Sequence, residues 1–346
     1  MNKSTYFIER NNFIILLNNL SREYCVIAPY GDKGYFWQNF TQSFEYNSYR
    51  PITSIRQFFT SSTEYINGYF TSQAKTKKFF CIVGAKSCDL TSLQIQDFVF
   101  LEGETDASYK NMRDNNLIIS SDCTSFKEVC FCLALEIKPY PEKLFDLNIS
   151  ALHDGYLVEV GSAKGLETIE RNQNLFTDVS DKYLAERKQK RENIVEKLLE
   201  QLKPQNLPKR NTLYNLIKNG YTNQFWTQEA ARCVECGACI MNCPTCHCFL
   251  LFDTKSENGY LRGRIWDGCQ YKNFTRVAGG ANALKFREHR LRNRYIKKFE
   301  FFPDRINTYA CTGCGRCIEC CPGKIDLREI FKELSKDSSS NLELTA

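Results

Sequence analysis

The 346-residue sequence has only three His, three Met and three Trp, and its apolar runs are short. Residues 79–85 (FFCIVGA) and 13–17 (FIILL) fall far short of the roughly 20 residues that cross a bilayer. The amino-terminal segment sets Glu9 and Arg10 ahead of its apolar run and offers no small-residue cleavage site, so it does not read as an export signal. A cytoplasmic location is expected. No G-x-G-x-x-G or G-x-x-x-x-G-K-[ST] pattern occurs, which excludes a nucleotide-binding domain of those forms. His153, His247 and His289 are each isolated, and no Ser or Cys nucleophile has an evident base, so no active site of its own is expected.

Against these absences stands cysteine, at 18 residues. The remaining composition, 42% hydrophobic and 25% charged, rules out disorder, collagen and coiled coil, and the length suits about two domains. Where thiols stay reduced, dense clustered cysteine points to metal and not to a disulfide framework. The formal charge is +6, and residues 286–298 (FREHRLRNRYIKK) are strongly basic. The plainest reading of that segment is a solvated helix face; docking of an acidic partner and nucleic-acid binding are the alternatives.

The expected fold class is α+β. Residues 1–180 read as an α/β domain, with a helix at 13–20 and short buried strands at 24–29, 79–84, 117–120 and 156–160. Residues 181–210 read as a helical connector, with Leu184, Ile194, Val195, Leu198, Leu199 and Leu202 at helical spacing before Pro204 and Pro208. Residues 211–335 hold 12 of the cysteines and read as a mainly helical, two-cluster ferredoxin-like domain with a long insert; 336–346 read as a loose polar tail.

Two runs carry the chemistry: CVECGACIMNCP with Cys233, Cys236, Cys239 and Cys243, and CTGCGRCIECCP with Cys311, Cys314, Cys317 and Cys321. Both fit the C-x2-C-x2-C-x3-C-P pattern of two-cluster ferredoxins. Three thiolates two residues apart wrap one cubane, and the fourth is carried away to the other cluster. Cluster A is then expected on Cys233, Cys236, Cys239 and Cys321, and cluster B on Cys311, Cys314, Cys317 and Cys243. Gly237 and Gly315 follow the second cysteine of each run, where positive φ or close backbone approach is needed. Zinc is the competing ion, but its site closes with four ligands and does not call for the third cysteine and the proline twice over.

Cys123, Cys130 and Cys132 (SDCTSFKEVCFC) and Cys88 (GAKSCD) lie at the ends of expected strands, where α/β sheets build sites. They read either as ligands of a third cluster or as four separate buried thiols. Cys246, Cys248 and Cys269 are weaker candidate ligands. Cys320, Cys25 and Cys81 read as spectators.

The stretches GAKSCDL, SDCTSFKEVCFC, DGYLVEVG, CVECGACIMNCPTCHCFLLFD, GRIWDGCQYKNFTRVAGG and CTGCGRCIECCPGKID together resemble the iron-sulfur β subunit of cytosolic sulfhydrogenases, a kind of [NiFe] hydrogenase. They are also similar to the A subunit of anaerobic sulfite reductases. The resemblance runs from about residue 80 to 335; before that it is limited to SIRQFF at 54–59. It implies a subunit that relays electrons between a flavin subunit handling NAD(P)(H) and the [NiFe] hydrogenase subunits, or a sirohaem sulfite reductase subunit, in a hetero-oligomer. Two departures stand out: Lys86 replaces the Arg of the family's G-x-R-x-C-D stretch, and residues 281–284 replace a loop in which the family carries His. A different-class reading is an iron-sulfur enzyme whose own open cluster near Cys88, Cys123, Cys130 and Cys132 binds substrate. Another is a zinc and nucleic-acid protein using the 286–298 helix. Four thiolates on an oxidised cubane leave about −2 per cluster, so the formal +6 falls to about +2 with two clusters and near zero with three. That balance weakens the nucleic-acid reading.

Overall fold

The computed structural model describes residues 4–30, 34–37, 48–68, 79–257 and 259–343. Its N-terminal part is built on a seven-stranded sheet of β1 (Thr5–Glu9), β2 (Cys25–Tyr30), β3 (Gly34–Trp37), β5 (Phe80–Ala85), β6 (Leu117–Ser121), β7 (Leu147–Ala151) and β8 (Gly155–Val160), in the order β1-β8-β7-β6-β5-β2-β3. The four central strands, β2, β5, β6 and β7, run parallel. Their short, Val- and Ile-rich runs suit strands covered on both faces. Alternation divides each strand between two cores. Val26, Cys81, Val83, Leu117 and Ile119 meet Phe13, Leu16, Leu17 and Leu20 of α1 (Arg10–Leu20) on one face. Ile27, Ile82 and Ile118 meet Leu90, Leu93 and Phe100 of α2 (Ser87–Leu101) and Tyr109 and Met112 of α3 (Ala107–Asn115) on the other.

After α4 (Ala163–Glu170), the connector forms α5 (Asp181–Leu202), which buries Ile194, Leu198 and Leu202 at four-residue intervals. Pro204 then closes a short turn. The C-terminal part is helical: α6 (Leu213–Asn219), α7 (Phe225–Ala231), α8 (Ala238–Met241), α9 (Arg287–Ile296), α10 (Phe302–Ile306), α11 (Arg316–Glu319) and α12 (Leu327–Glu343). Its core joins Leu198, Leu216, Trp226, Leu291, Tyr295, Ile330 and Phe331 to Cys130, Phe131 and Leu135 from the N-terminal half. The region expected as a loose tail is instead the end of α12 as far as Glu343; residues 344–346 lie outside those described. Among the described residues no helix is long and apolar enough to cross a membrane.

Strands β1, β3 and β7 were not anticipated, nor was a second sheet. The insert between the cysteine runs folds as a hairpin, β9 (Phe249–Ser256) and β10 (Gly259–Trp266), and β10 pairs antiparallel with β4 (Thr63–Gly68) from the N-terminal part. Arg264 of β10 is buried between Glu64 and Asp106, so an ion pair reinforces this strand exchange between the two halves.

Candidate metal centres

The two cysteine runs fold alike. Gly237 and Gly315 have φ of +73° and +72°, and two residues earlier Glu235 and Gly313 have +57° and +62°. Each run thus makes two left-handed steps before its short helix, α8 or α11. The glycines also answer a steric need. A Cβ on Gly315 would strike the backbone carbonyl of Val129, and one on Gly237 the hydroxyl of Tyr271. Glu235 adopts the left-handed form without that freedom and is held by ion pairs to Arg290 and Arg287.

Two cavities result. Cys233, Cys236, Cys239 and Cys321 line the first, with Cys317, Arg294, Leu291, Tyr295 and Ile325. Cys243, Cys311, Cys314 and Cys317 line the second, with Arg294, Lys298, Phe131 and Leu327. Each cavity draws three thiols from one run; the other run adds Cys321 and Cys317 to the first and Cys243 to the second. The donor set suits a thiolate-held cluster. Backbone N–H groups of Glu235 and Ile325 donate to the sulfurs of Cys233 and Cys321, both at 3.4 Å. Arg294 Nε is buried without a partner beside both cavities, where a sulfur acceptor would satisfy it. Among the described residues no three His, Cys, Asp or Glu side chains close around a single ion. A zinc site needs four sulfurs about 2.3 Å from one point, whereas a cubane takes each thiolate at a separate corner.

Burial pushes the Cys239 and Cys311 thiols up to about 12, so holding them as thiolates requires positive charge nearby. That charge is the feature sequence reading missed. Arg290, Arg294 and Lys298 are all buried, and the expectation of a solvated face over 286–298 fails for this stripe. Four-residue spacing puts the three on one face, turned inward, where Arg290 meets Glu235 and Arg294 and Lys298 meet the cysteine loops. Lys298 Nζ donates to Cys243 Sγ at 3.4 Å and to Thr245 Oγ1 at 2.6 Å. Burial alone would lower the Lys298 pKa; Cys243 and Cys246 reverse that and carry it above the ordinary lysine value. Arg294 Nη2 donates to the Cys239 carbonyl at 3.1 Å. The i, i+4, i+8 spacing was the available signal.

Other cations clamp the loops from the N-terminal half. Arg56, in the SIRQFF stretch, donates to the Met241 carbonyl at 2.9 Å and stacks on Trp266. Arg50 Nε donates to the Cys314 carbonyl at 2.7 Å. Arg316 is wholly buried in an ion pair with Asp89, at 2.9 Å.

Cys246, Cys248 and Cys269 line neither cavity; Cys246 lies against Cys243, and Cys248 against Cys269. Cys320 sits at the back of α11, with its thiol 3.9 Å from the Cys317 carbonyl. Cys81 is in the core of the sheet, and Cys25 packs at its margin. Cys88, Cys123, Cys130 and Cys132 lie elsewhere, toward the carboxyl edge of the N-terminal sheet. His247 is packed against Phe302, and burial lowers its pKa to about 4, so it stands neutral.

This geometry suits an iron-sulfur protein, and comparison agrees: the 4Fe-4S dicluster domain family matches residues 232–325. The chain is 34% identical over 256 residues, 74% of each chain, to sulfhydrogenase 2 subunit beta of Pyrococcus furiosus. It belongs to the sulfhydrogenase β-subunit family, whose members are iron-sulfur electron-transfer subunits. A shorter likeness, 27% identical over 92 residues, links 27% of the chain to 6% of the pyruvate-flavodoxin oxidoreductase of Trichormus variabilis.

Proposed function

We propose that this chain relays electrons within a hetero-oligomeric hydrogenase, between a flavin subunit that exchanges electrons with NAD(P)(H) and the [NiFe] catalytic subunits. Cys233, Cys236, Cys239 and Cys321 would hold one [4Fe-4S] group, and Cys311, Cys314, Cys317 and Cys243 the other. When bound, such a group supplies reversible one-electron storage. The observation that carries this reading is the pair of thiol-lined cavities that share Arg294 and Cys317.

The chain's own residues supply the setting. Leu291, Tyr295 and Ile325 on one side and Phe131 and Leu327 on the other shield the inner sulfurs from water. Arg294 and Lys298 hold fixed positive charge against thiolates that burial would otherwise protonate. The Glu235 and Ile325 amides orient two of the sulfurs.

Cys236 is the exposed thiol of its set, and its replacement tests the reading. In the assembled complex, Cys236→Ser should stop electron flow from NAD(P)H to the partner's active site while leaving that site's activity with an artificial dye intact. Loss of both activities with the complex still assembled would mean that this subunit is itself catalytic. Co-purification with a sirohaem protein in place of a [NiFe] subunit would move the assignment to sulfite reduction.

A further inference from the structure

A third group of thiols lies outside the dicluster match, at the carboxyl edge of the N-terminal sheet. Strands β5 and β6 are parallel neighbours with Ala85 opposite Ser120. Cys88 and Cys123 each follow three residues beyond that pair, so the register sets them side by side where the strands end. Cys88 falls in the first turn of α2, a 15-residue helix whose positive end favours a thiolate. The chain after Cys123 is drawn back by a bond from its N–H to the Pro139 carbonyl at 2.8 Å, and Cys130 N–H closes a turn onto Lys127. These bonds return Cys130 and Cys132 to the same edge. Burial raises the pKa of all four thiols; beside it, Cys130 acts on Cys123, Cys123 and Cys130 act on Cys132, and Cys123 acts on Cys88.

The surroundings fit an anionic, thiolate-held group. Lys86 is fully buried between Cys88 and Cys123 and donates to Ser121 Oγ at 2.6 Å and toward the Asp122 carbonyl at 3.5 Å. Arg50, also buried, lies beside Cys130; its Nη1 pairs with Glu319 and its Nη2 lacks any hydrogen-bond partner. Buried cations of this kind suit a site that gathers negative charge. The position is also tied to the second cavity. Phe131 N–H bonds the Gly313 carbonyl at 2.8 Å, and Gly313 packs so tightly on the Cys132 backbone that no Cβ fits between them. Spacing argues against a single ion, since no three of these side chains converge on one point.

We propose that Cys88, Cys123, Cys130 and Cys132 ligate a third iron-sulfur cluster, of the four-iron class, seated between the carboxyl edge of the sheet and the 311–317 loop. Lys86 and Arg50 are its counter-cations. The site goes beyond the two-cluster reading and belongs to a part of the chain that the dicluster family does not cover.

The test is iron, acid-labile sulfide and zinc per chain in the full-length protein purified without oxygen. The wild type should hold about twelve irons, and the Cys123→Ser/Cys132→Ser protein about eight. Cys81→Ser, which alters a core thiol away from the site, should leave the wild-type value unchanged. Cys88→Ala serves as the second variant should the double substitution not yield folded protein. About eight irons in the wild type would overturn the proposal, as would one zinc per chain lost on the double substitution, or a double variant that keeps about twelve irons. A wild-type value near four that the double substitution abolishes would keep the third site and remove the two-cluster reading; one that survives the substitution would remove the third site.

Discussion

Single residues set the shape and charge of the two cavities, and glycine gives the sharpest contrast. Gly315 and Gly237 share one backbone conformation, but the first abuts a backbone carbonyl and the second the tip of a tyrosine. Left-handed strain of about 1–2 kcal/mol is common to both; only Tyr271 can move aside. Gly315→Ala should therefore lose most of the iron of one cluster, while Gly237→Ala keeps near-normal iron, as measured in anaerobically purified protein. Lys298 offers a charge test. Removing a cation hydrogen-bonded to a ligand sulfur disfavours the added electron, so Lys298→Met should lower one of the two midpoint potentials by on the order of 100 mV, read in an EPR-monitored redox titration. The two cysteine runs stood out in the sequence by their spacing, and both fall within the stretch that the dicluster family matches. Glu235 was not legible: a glutamate at a left-handed position depends on ion pairs with Arg290 and Arg287, which lie more than 50 residues away in sequence.

Among the elements, α9 and the π-helical turn that continues it, Lys297–Phe301, show how one pattern supports two readings. Basic residues every fourth position describe a helix face, and only the neighbours decide whether the face meets water or thiols. Here Arg290, Arg294 and Lys298 point inward, while Arg292 stays outside and stacks on Tyr221. Strands β2, β5 and β6, and helix α5, were legible because each is a compact apolar run or keeps its apolar residues at helical spacing; β7, equally central, was not, since LNISA interleaves Asn148 and Ser150 with its apolar residues. The β9-β10 hairpin was not, since its apolar residues do not alternate cleanly and its partner β4 lies about 200 residues away in sequence. The ties between the halves carry a stability prediction. Arg316 of α11 and Asp89 of α2 are both fully buried. Arg316→Met leaves the carboxylate uncompensated and should cost about 3–5 kcal/mol, measured by denaturant unfolding followed through tryptophan fluorescence.

Taken as a whole, the molecule sets its buried cations against its cysteines. With about −2 for each thiolate-held cubane, the formal +6 would fall to about +2 with two clusters and near zero with three, and the buried cations would face that charge. The acidic residues beside these cations are already engaged, Asp89 by Arg316 and Glu319 by Arg50 and Lys127. Neighbouring cavities sharing Arg294 and Cys317 suit groups that exchange electrons with each other, and crossed ligation is the arrangement on which this account rests. The most direct measurement is the EPR spectrum of the reduced protein in four single variants, Cys233→Ser, Cys321→Ser, Cys311→Ser and Cys243→Ser. Crossed ligation predicts that Cys321→Ser perturbs the same cluster signal as Cys233→Ser, and Cys243→Ser the same signal as Cys311→Ser. Pairing of Cys321→Ser with Cys311→Ser, and of Cys243→Ser with Cys233→Ser, would contradict it.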